Sequence, residues 1–114
     1  MKLDRDLNPD GLGKYALLNL RKLNAAAGRP GQSPRWTPEV AQALKTLEET
    51  GALEWGRTGD EDEFFPIKLK DRYARHALEQ YAVAVGADDP EFANAVHELA
   101  QRAGPGSPFC KTPD

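Results

Sequence analysis

The sequence has one cysteine and no long hydrophobic run, and each scarcity excludes a class of protein. Cys110 alone cannot build an internal disulfide framework or a cysteine-based zinc finger, which predicts a reducing compartment. No apolar run approaches the roughly 18 residues that a membrane helix needs. Met1–Asp6 does not open a secretory signal peptide. We therefore expect a cytoplasmic protein that makes no membrane contact.

A chain of 114 residues is long enough to form one hydrophobic core, so we predict a single domain over residues 1–114. The net charge of -3 argues against a dominant non-specific grip on nucleic acid. The charge is nevertheless unevenly distributed. It sums to +4 over residues 1–36, -6 over 37–66, +3 over 67–75 and -4 over 76–114. Such a mosaic indicates oriented contacts rather than bulk attraction.

Two helices are predicted in the first half of the chain. The first runs from Lys14 to Ala27 between two glycines, Gly13 and Gly28, with apolar residues at helical spacing. A second helix is predicted from the sequence Thr37-Pro38-Glu39, which supplies a capping residue, a proline at the first helical position and a carboxylate in the first turn. Gly51 is expected to end it.

The next segments alternate between apolar and polar residues, which is typical of strands. Residues 52–56 and 64–70 are predicted to form a β-hairpin around the acidic loop 57–63, with Phe65, Ile67 and Leu69 facing inward. Pro66 lacks an N–H donor, so we expect a sheet edge near it.

The last third of the chain predicts two more helices. Asp71 is expected to cap one, and Asp89-Pro90 to open the other, with a short connection that favours antiparallel packing. The predicted fold is therefore α+β. It comprises a helix-helix-hairpin part over residues 12–70, a C-terminal antiparallel helical hairpin over 71–103 and an irregular tail over 104–114.

The order helix, helix, hairpin over residues 12–70 resembles a winged-helix domain, in which the second of these helices reads the DNA major groove and the hairpin is the wing. Here that helix exposes Glu49, with Glu39 nearby, and the wing is the acidic loop. Backbone phosphates would be repelled by such a surface. A winged-helix shape used for protein contacts fits these charges better than a DNA reader does.

Three segments resemble small uncharacterised proteins of tailed bacteriophages and prophages. They are Gly13–Leu18 (GKYALL), Asp62–Ala74 (DEFFPIKLKDRYA) and Ala103–Asp114 (AGPGSPFCKTPD). The resemblance implies a protein made in the cytoplasm of an infected bacterium. It also implies a function common among such accessory proteins, namely binding and blocking a host protein, as anti-CRISPR inhibitors of defence systems do.

Residues suited to catalysis or metal binding are few. His76 and His97 both lie off the apolar stripes of their helices, and Cys110 has no evident neighbouring base. The run of acidic residues lacks the ligand order of a calcium loop. We therefore predict a protein that is not an enzyme and has no catalytic residue, metal site or cofactor.

Charged patches are the remaining candidates for a binding site. Two sets are basic, and a third is the acidic loop. The first basic set is partly aromatic and is expected to share one face of the first predicted helix; its members are Lys14, Tyr15, Arg21 and Lys22. The second basic set lies around the end of the predicted hairpin and comprises Lys68, Lys70, Arg72 and Arg75, and the acidic loop contributes Asp60, Glu61, Asp62 and Glu63. The leading hypothesis is a host-protein inhibitor. The alternatives are a winged-helix nucleic-acid-binding protein and a protein that sequesters a small phosphorylated ligand. The sequence leaves self-association open.

Overall fold

The computed structural model describes residues 2–26 and 36–113, and within them the regular secondary structure is helical. The helices are α1 (Asp4–Leu7), α2 (Leu20–Ala26), α3 (Pro38–Glu49), α4 (Ala74–Val85) and α5 (Pro90–Gln101), followed by a 3-10 turn at Gly104–Gly106. The chain divides into two compact units. The first contains the residues up to Ala16 and those from Pro66 onward, and the second contains Leu17–Phe65. None of the helices in the described part of the chain is both long and apolar enough to cross a bilayer.

The first unit is organised around the contact between α4 and α5. Small side chains dominate this core, because Ala74, Ala100 and Ala103 are completely inaccessible to solvent. Val96 and Leu99 of α5 are also buried and supply the larger apolar surfaces. Alanine at a helix contact lets two backbones approach closely, so two helices of 12 residues each can share a core with few large side chains.

The start of α5 confirms its sequence signature. Asp89 is the N-cap, and its Oδ1 accepts a hydrogen bond from the backbone N–H of Phe92 at 3.0 Å. Pro90 occupies the first turn, where backbone N–H groups have no acceptor within the helix, so its missing N–H costs no hydrogen bond. This hydrogen bond stabilises the charged carboxylate, so the pKa of Asp89 lies below its ordinary value of 3.8.

The tail after α5 is attached to the first unit by backbone hydrogen bonds. The N–H groups of Gly104 and Lys111 donate to the carbonyls of Leu69 and Lys70, each at 2.8 Å, and Arg72 donates back to Lys111 at 3.0 Å. Gly104 has a φ of +54°, and a Cβ there would lie 3.0 Å from the Arg72 carbonyl oxygen. A glycine is therefore required where the tail crosses the start of α4.

In the second unit, α3 confirms the prediction of a helix after Thr37. Thr37 Oγ1 accepts the N–H of Val40 at 3.3 Å, and Gly51, with a φ of +78°, follows the end of the helix. Leu44 is the buried residue of this helix. Local capping chemistry was therefore sufficient to locate α3.

The predicted start of the first helix at Lys14 is wrong, because α2 begins only at Leu20. Asn19 explains the difference: its Oδ1 accepts the N–H of Lys22 at 3.0 Å, and its carbonyl accepts that of Leu23. An asparagine that caps a helix satisfies the first free N–H groups, so the helix begins after it. Leu17, one of the apolar residues within the predicted helix, precedes α2 and is 67% exposed. The predicted end, at Ala27 and Gly28, lies outside the described residues.

The predicted β-hairpin is also wrong, and with it the α+β fold class and the winged-helix shape. No strand forms in residues 2–26 or 36–113, and a single parallel bridge joins Asp71 to Lys111. The segments on either side of the acidic loop do not pair. Instead, the Phe64 ring lies over Gly56, at a place where a Cβ would overlap the ring. The two segments are therefore in contact through the Phe64 ring and Gly56, and not through the backbone hydrogen bonds of the predicted hairpin.

The expected inward face of the second strand is largely in solvent. Phe65 is 85% exposed and Ile67 is 43% exposed, whereas Leu69 is half-buried. Alternation of apolar and polar residues needs a partner strand to bury one face, and residues 64–70 have none here.

Leucine truncation tests the position of the core. Leu99→Ala is expected to lower the free energy of unfolding by about 2–5 kcal/mol, because it leaves a cavity between α4 and α5. Leu7→Ala removes the same atoms from a side chain that is 62% exposed in the same unit. It should change stability by no more than about 0.5 kcal/mol in urea denaturation followed by circular dichroism. Equal losses in the two variants would contradict the assigned burial.

The Asp89 cap predicts a dependence of stability on pH. Because the folded-state pKa is depressed, the contribution is present above the ordinary pKa of 3.8 and is lost as the pH falls through the folded value. Asp89→Asn retains an acceptor for the Phe92 N–H but does not titrate. Its melting temperature should therefore fall less on acidification below about pH 4 than that of the wild type. Asp88→Asn, the same substitution at the neighbouring residue, is the matched control, and an equal effect of the two substitutions would contradict the role of the Asp89 cap.

Candidate functional site

Aromatic and aliphatic side chains are unusually exposed on this chain. All three tyrosines are more than half exposed, at 68% for Tyr15, 55% for Tyr73 and 54% for Tyr81, and so are Phe64, Phe65 and Phe109. Single exposed apolar residues are normal in folded proteins, but runs such as Phe64–Ile67 are typical of binding surfaces.

An apolar groove lies in the first unit beside α4. Its volume is about 350 Å3, and its lining combines six apolar side chains with two cations; the lining residues are Arg5, Ile67, Lys68, Leu69, Ala74, Ala77, Leu78 and Leu99. No acidic residue lines it. Within the described chain, neither Arg5 nor Lys68 forms an ion pair. The groove therefore favours an occupant that presents aliphatic groups together with a negative charge.

A second, more open groove of about 340 Å3 shares Arg5 with the first. The loop after α1 forms one wall, through Gly11, Leu12 and Gly13, and Tyr15 lies at its edge. Asp10 Oδ1 fixes this loop by accepting the N–H of Leu12 at 2.9 Å. Arg5 thus lies where the two grooves adjoin, which makes it the cation most central to this face.

The first predicted basic set is divided between the two units. Lys14 and Tyr15 belong to the first, and the Lys14 ammonium lies 5.4 Å from the centroid of the Tyr15 ring. Arg21 and Lys22 are exposed on α2 in the second unit. The four residues were proposed to share one helix face, but α2 does not include the first two.

The second basic set, residues 68–75, lies entirely in the first unit, where its members differ in their surroundings. Lys68 lines the groove, and Arg72 places its guanidinium 5.3 Å from the centroid of the Tyr73 ring. Lys70 is half-buried. Arg75 donates to Gln101 Oε1 at 2.9 Å and lies 3.6 Å from Glu79, an ion pair too long for a hydrogen bond. Arg75 therefore joins α4 to α5 instead of facing a ligand.

The acidic loop is folded into two consecutive turns. Asp60 and Glu63 donate their N–H groups to the carbonyls of Arg57 and Asp60, at 3.0 and 3.1 Å. The Glu63 carboxylate accepts the N–H of Gly59 at 3.0 Å. Asp60, Glu61, Asp62 and Glu63 are all exposed. This loop presents a concentrated negative charge on a defined backbone.

A tryptophan pair in the second unit is not predicted from the sequence. The rings of Trp36 and Trp55 are stacked, with centroids 6.3 Å apart. Trp55 Nε1 donates to Glu48 Oε2 at 2.6 Å, and Arg57 lies 5.3 Å from the Trp55 centroid. These contacts tie the segment after α3 to its last turns.

Candidate catalytic groups are dispersed. His76, His97 and Cys110 are all exposed, and in residues 2–26 and 36–113 no cluster of three or more histidine, cysteine or acidic side chains is arranged to hold a metal ion. The acidic loop is included in that statement. The arrangement that the structure does present is one of exposed apolar and charged surfaces.

The sequence does not predict the apolar groove. It predicts Ile67 and Leu69 on the inner face of a strand, and it does not predict α1, the helix that contains Arg5. The signal available in the sequence was the +3 charge of residues 67–75 on an apolar background. The tertiary contact that brings α1 to this segment has no local signature.

Comparison with known proteins identifies no relative, since no family model, curated protein or solved structure matches this chain. The geometry of the surfaces described above therefore carries the functional interpretation.

Arginine substitutions distinguish structural from exposed positions in the second basic set. Arg75→Ala should lower the free energy of unfolding by about 1–2 kcal/mol, because it removes the hydrogen bond to Gln101 and the ion pair with Glu79. Arg72→Ala, with the same change in charge at an exposed position, should change it by no more than about 0.5 kcal/mol. Urea denaturation measures both. A larger loss for Arg72→Ala would contradict the assigned role of Arg75.

Proposed function

We propose that this protein is a non-enzymatic accessory protein of a phage or prophage that binds a host protein in the bacterial cytoplasm and blocks it. The observation that carries the proposal is the exposure of large apolar side chains, including Phe65 at 85% and Phe109 at 74%. Aromatic residues that remain exposed in a small folded chain are the typical anchors of protein–protein interfaces. The phage origin rests on the sequence resemblance alone.

Charge and shape together support recognition of a specific partner. The groove beside α4 combines aliphatic walls with Arg5 and Lys68, and the acidic loop carries the opposite charge. Such juxtaposed charges steer encounter and exclude partners with the wrong pattern, whereas the apolar centre supplies most of the affinity. Blocking by surface complementarity needs no catalytic group.

The structure bears differently on the two alternative functions, nucleic-acid binding and sequestration of a small ligand. A winged-helix nucleic-acid-binding protein requires a wing, and residues 52–70 form no strand in this structure. That alternative is therefore withdrawn. Sequestration of a small phosphorylated ligand would be favoured by a pocket lined with Lys14, Arg21 or Arg72. Neither of the two grooves described above is lined by any of them, so no specific observation favours this alternative.

A nuclease-treated pull-down from bacterial lysate, followed by reconstitution with the purified partner, tests the proposal. We expect one stoichiometric host protein, whose activity falls when the purified protein is added. Arg5→Glu should weaken binding by about tenfold, because it places a carboxylate where the two grooves adjoin. Arg102→Glu makes the same change in charge at an exposed position just after α5, and should bind as the wild type does.

Two results would contradict the proposal. One is the absence of any stoichiometric host protein after nuclease treatment. The other is a bound protein whose activity is unaffected by saturating amounts of this chain. Equal binding by Arg5→Glu and the wild type would instead show that the partner uses a surface other than the grooves.

A further inference from the structure

The stretch from Asp60 to Lys70 has opposite charges at its two ends and apolar residues between them. Four carboxylates, at residues 60–63, precede Phe64, Phe65, Pro66 and Ile67, and two lysines, Lys68 and Lys70, follow. We propose that this stretch is a self-complementary surface at which two copies of the chain associate, antiparallel and about a two-fold axis. This association does not depend on host-protein binding, although both use Phe65 and Lys68.

The centre of the stretch is open to a partner. Phe64, Phe65 and Ile67 are 56%, 85% and 43% exposed. Residues 64–67 lie outside helix, strand and turn, and in the described structure their backbone groups neither donate nor accept a backbone hydrogen bond. Unpaired backbone beside exposed apolar side chains is the usual starting point for adding a strand from another chain.

A second copy fits this stretch because a two-fold axis reverses the chain direction. With Phe65 on the axis, Asp62 of each copy faces Lys68 of the other, and Asp60 faces Lys70. Asp62 and Lys68 are both exposed, so both are accessible to a partner. Asp62 and Lys68 are the two ends of a segment of seven consecutive residues. Their pairing between copies therefore requires only that this segment of one copy runs antiparallel to the same segment of the other.

The register with Phe65 on the axis also accommodates the proline. If the two Phe65 residues exchange both backbone hydrogen bonds, Phe64 faces Pro66 at a position where an antiparallel pair makes none. The missing N–H of Pro66 is then not required. The next bonded pair can form through Ile67 N–H and the Glu63 carbonyl, which leaves the Glu63 N–H bound to Asp60 as observed.

Charge reversal with rescue is the experiment that tests this proposal. For the purified wild-type protein, sedimentation equilibrium over roughly a hundredfold range of concentration should show a mass that rises from monomer to dimer. Asp62→Lys and Lys68→Asp should each weaken the dimer by about tenfold, because each places like charges opposite one another at both symmetry-related positions.

The rescue distinguishes direct pairing from a general effect of charge. The double variant Asp62→Lys/Lys68→Asp should regain the wild-type dimer. An equimolar mixture of the two single variants should do the same, because opposite charges again meet at both positions in a mixed dimer. Glu98→Lys and Arg102→Asp make the same changes in charge at exposed positions of the α5 region and should leave the dimer unchanged.

Three results would overturn the proposal: a wild-type protein that is monomeric at every concentration, single charge-reversed variants that dimerise as the wild type does, or a mixture that does not recover. Circular dichroism of each variant confirms that it is folded. Because this experiment uses purified protein without host material, its failure would leave the proposed function untouched, and failure of the pull-down would leave this result untouched.

Discussion

The contact between α4 and α5 is the feature on which the first unit depends. The buried residues of the two helices are Ala74 and Ala82 of α4 and Val96, Leu99 and Ala100 of α5. Close approach of the two helices places Arg75 within hydrogen-bonding distance of Gln101 and brings the end of α5 to the segment before α4. The backbone bonds from Gly104 and Lys111 to residues 69 and 70, and the groove that Leu78 and Leu99 line together, both follow from that approach.

A core made of small side chains has a consequence for the surface. The larger apolar residues of the chain have few buried positions to occupy, so phenylalanine, tyrosine and leucine side chains are left in solvent. Exposed apolar area is tolerated when a partner covers it for much of the protein's lifetime. Host-protein binding and self-association are two ways of covering it. Arg5 and the grooves serve the first, and the self-complementary stretch serves the second; the two surfaces share Ile67, Lys68 and Leu69.

The candidate surfaces were only partly visible in the sequence. The acidic loop and the basic residues around Lys68 could be identified from charge alone, because runs of like charge are exposed almost regardless of fold. The grouping of Lys14 with Arg21 depended on a helix that begins later than expected, because Asn19 caps it. The groove and the tryptophan pair depend on contacts between residues far apart in sequence, which no local pattern encodes.

The sequence by itself determined α3 and α5, whose capping residues and first-turn prolines act within one turn of helix. Only the tertiary structure decided which conformation residues 52–70 adopt. Alternating residues become a sheet only when a partner strand receives their hydrogen bonds and a core receives one face. Here the Phe64 ring covers Gly56, and no strand pairs with residues 64–67. Helix caps are satisfied locally, whereas strands are satisfied only by distant partners, and this difference separates what could be predicted from what could not.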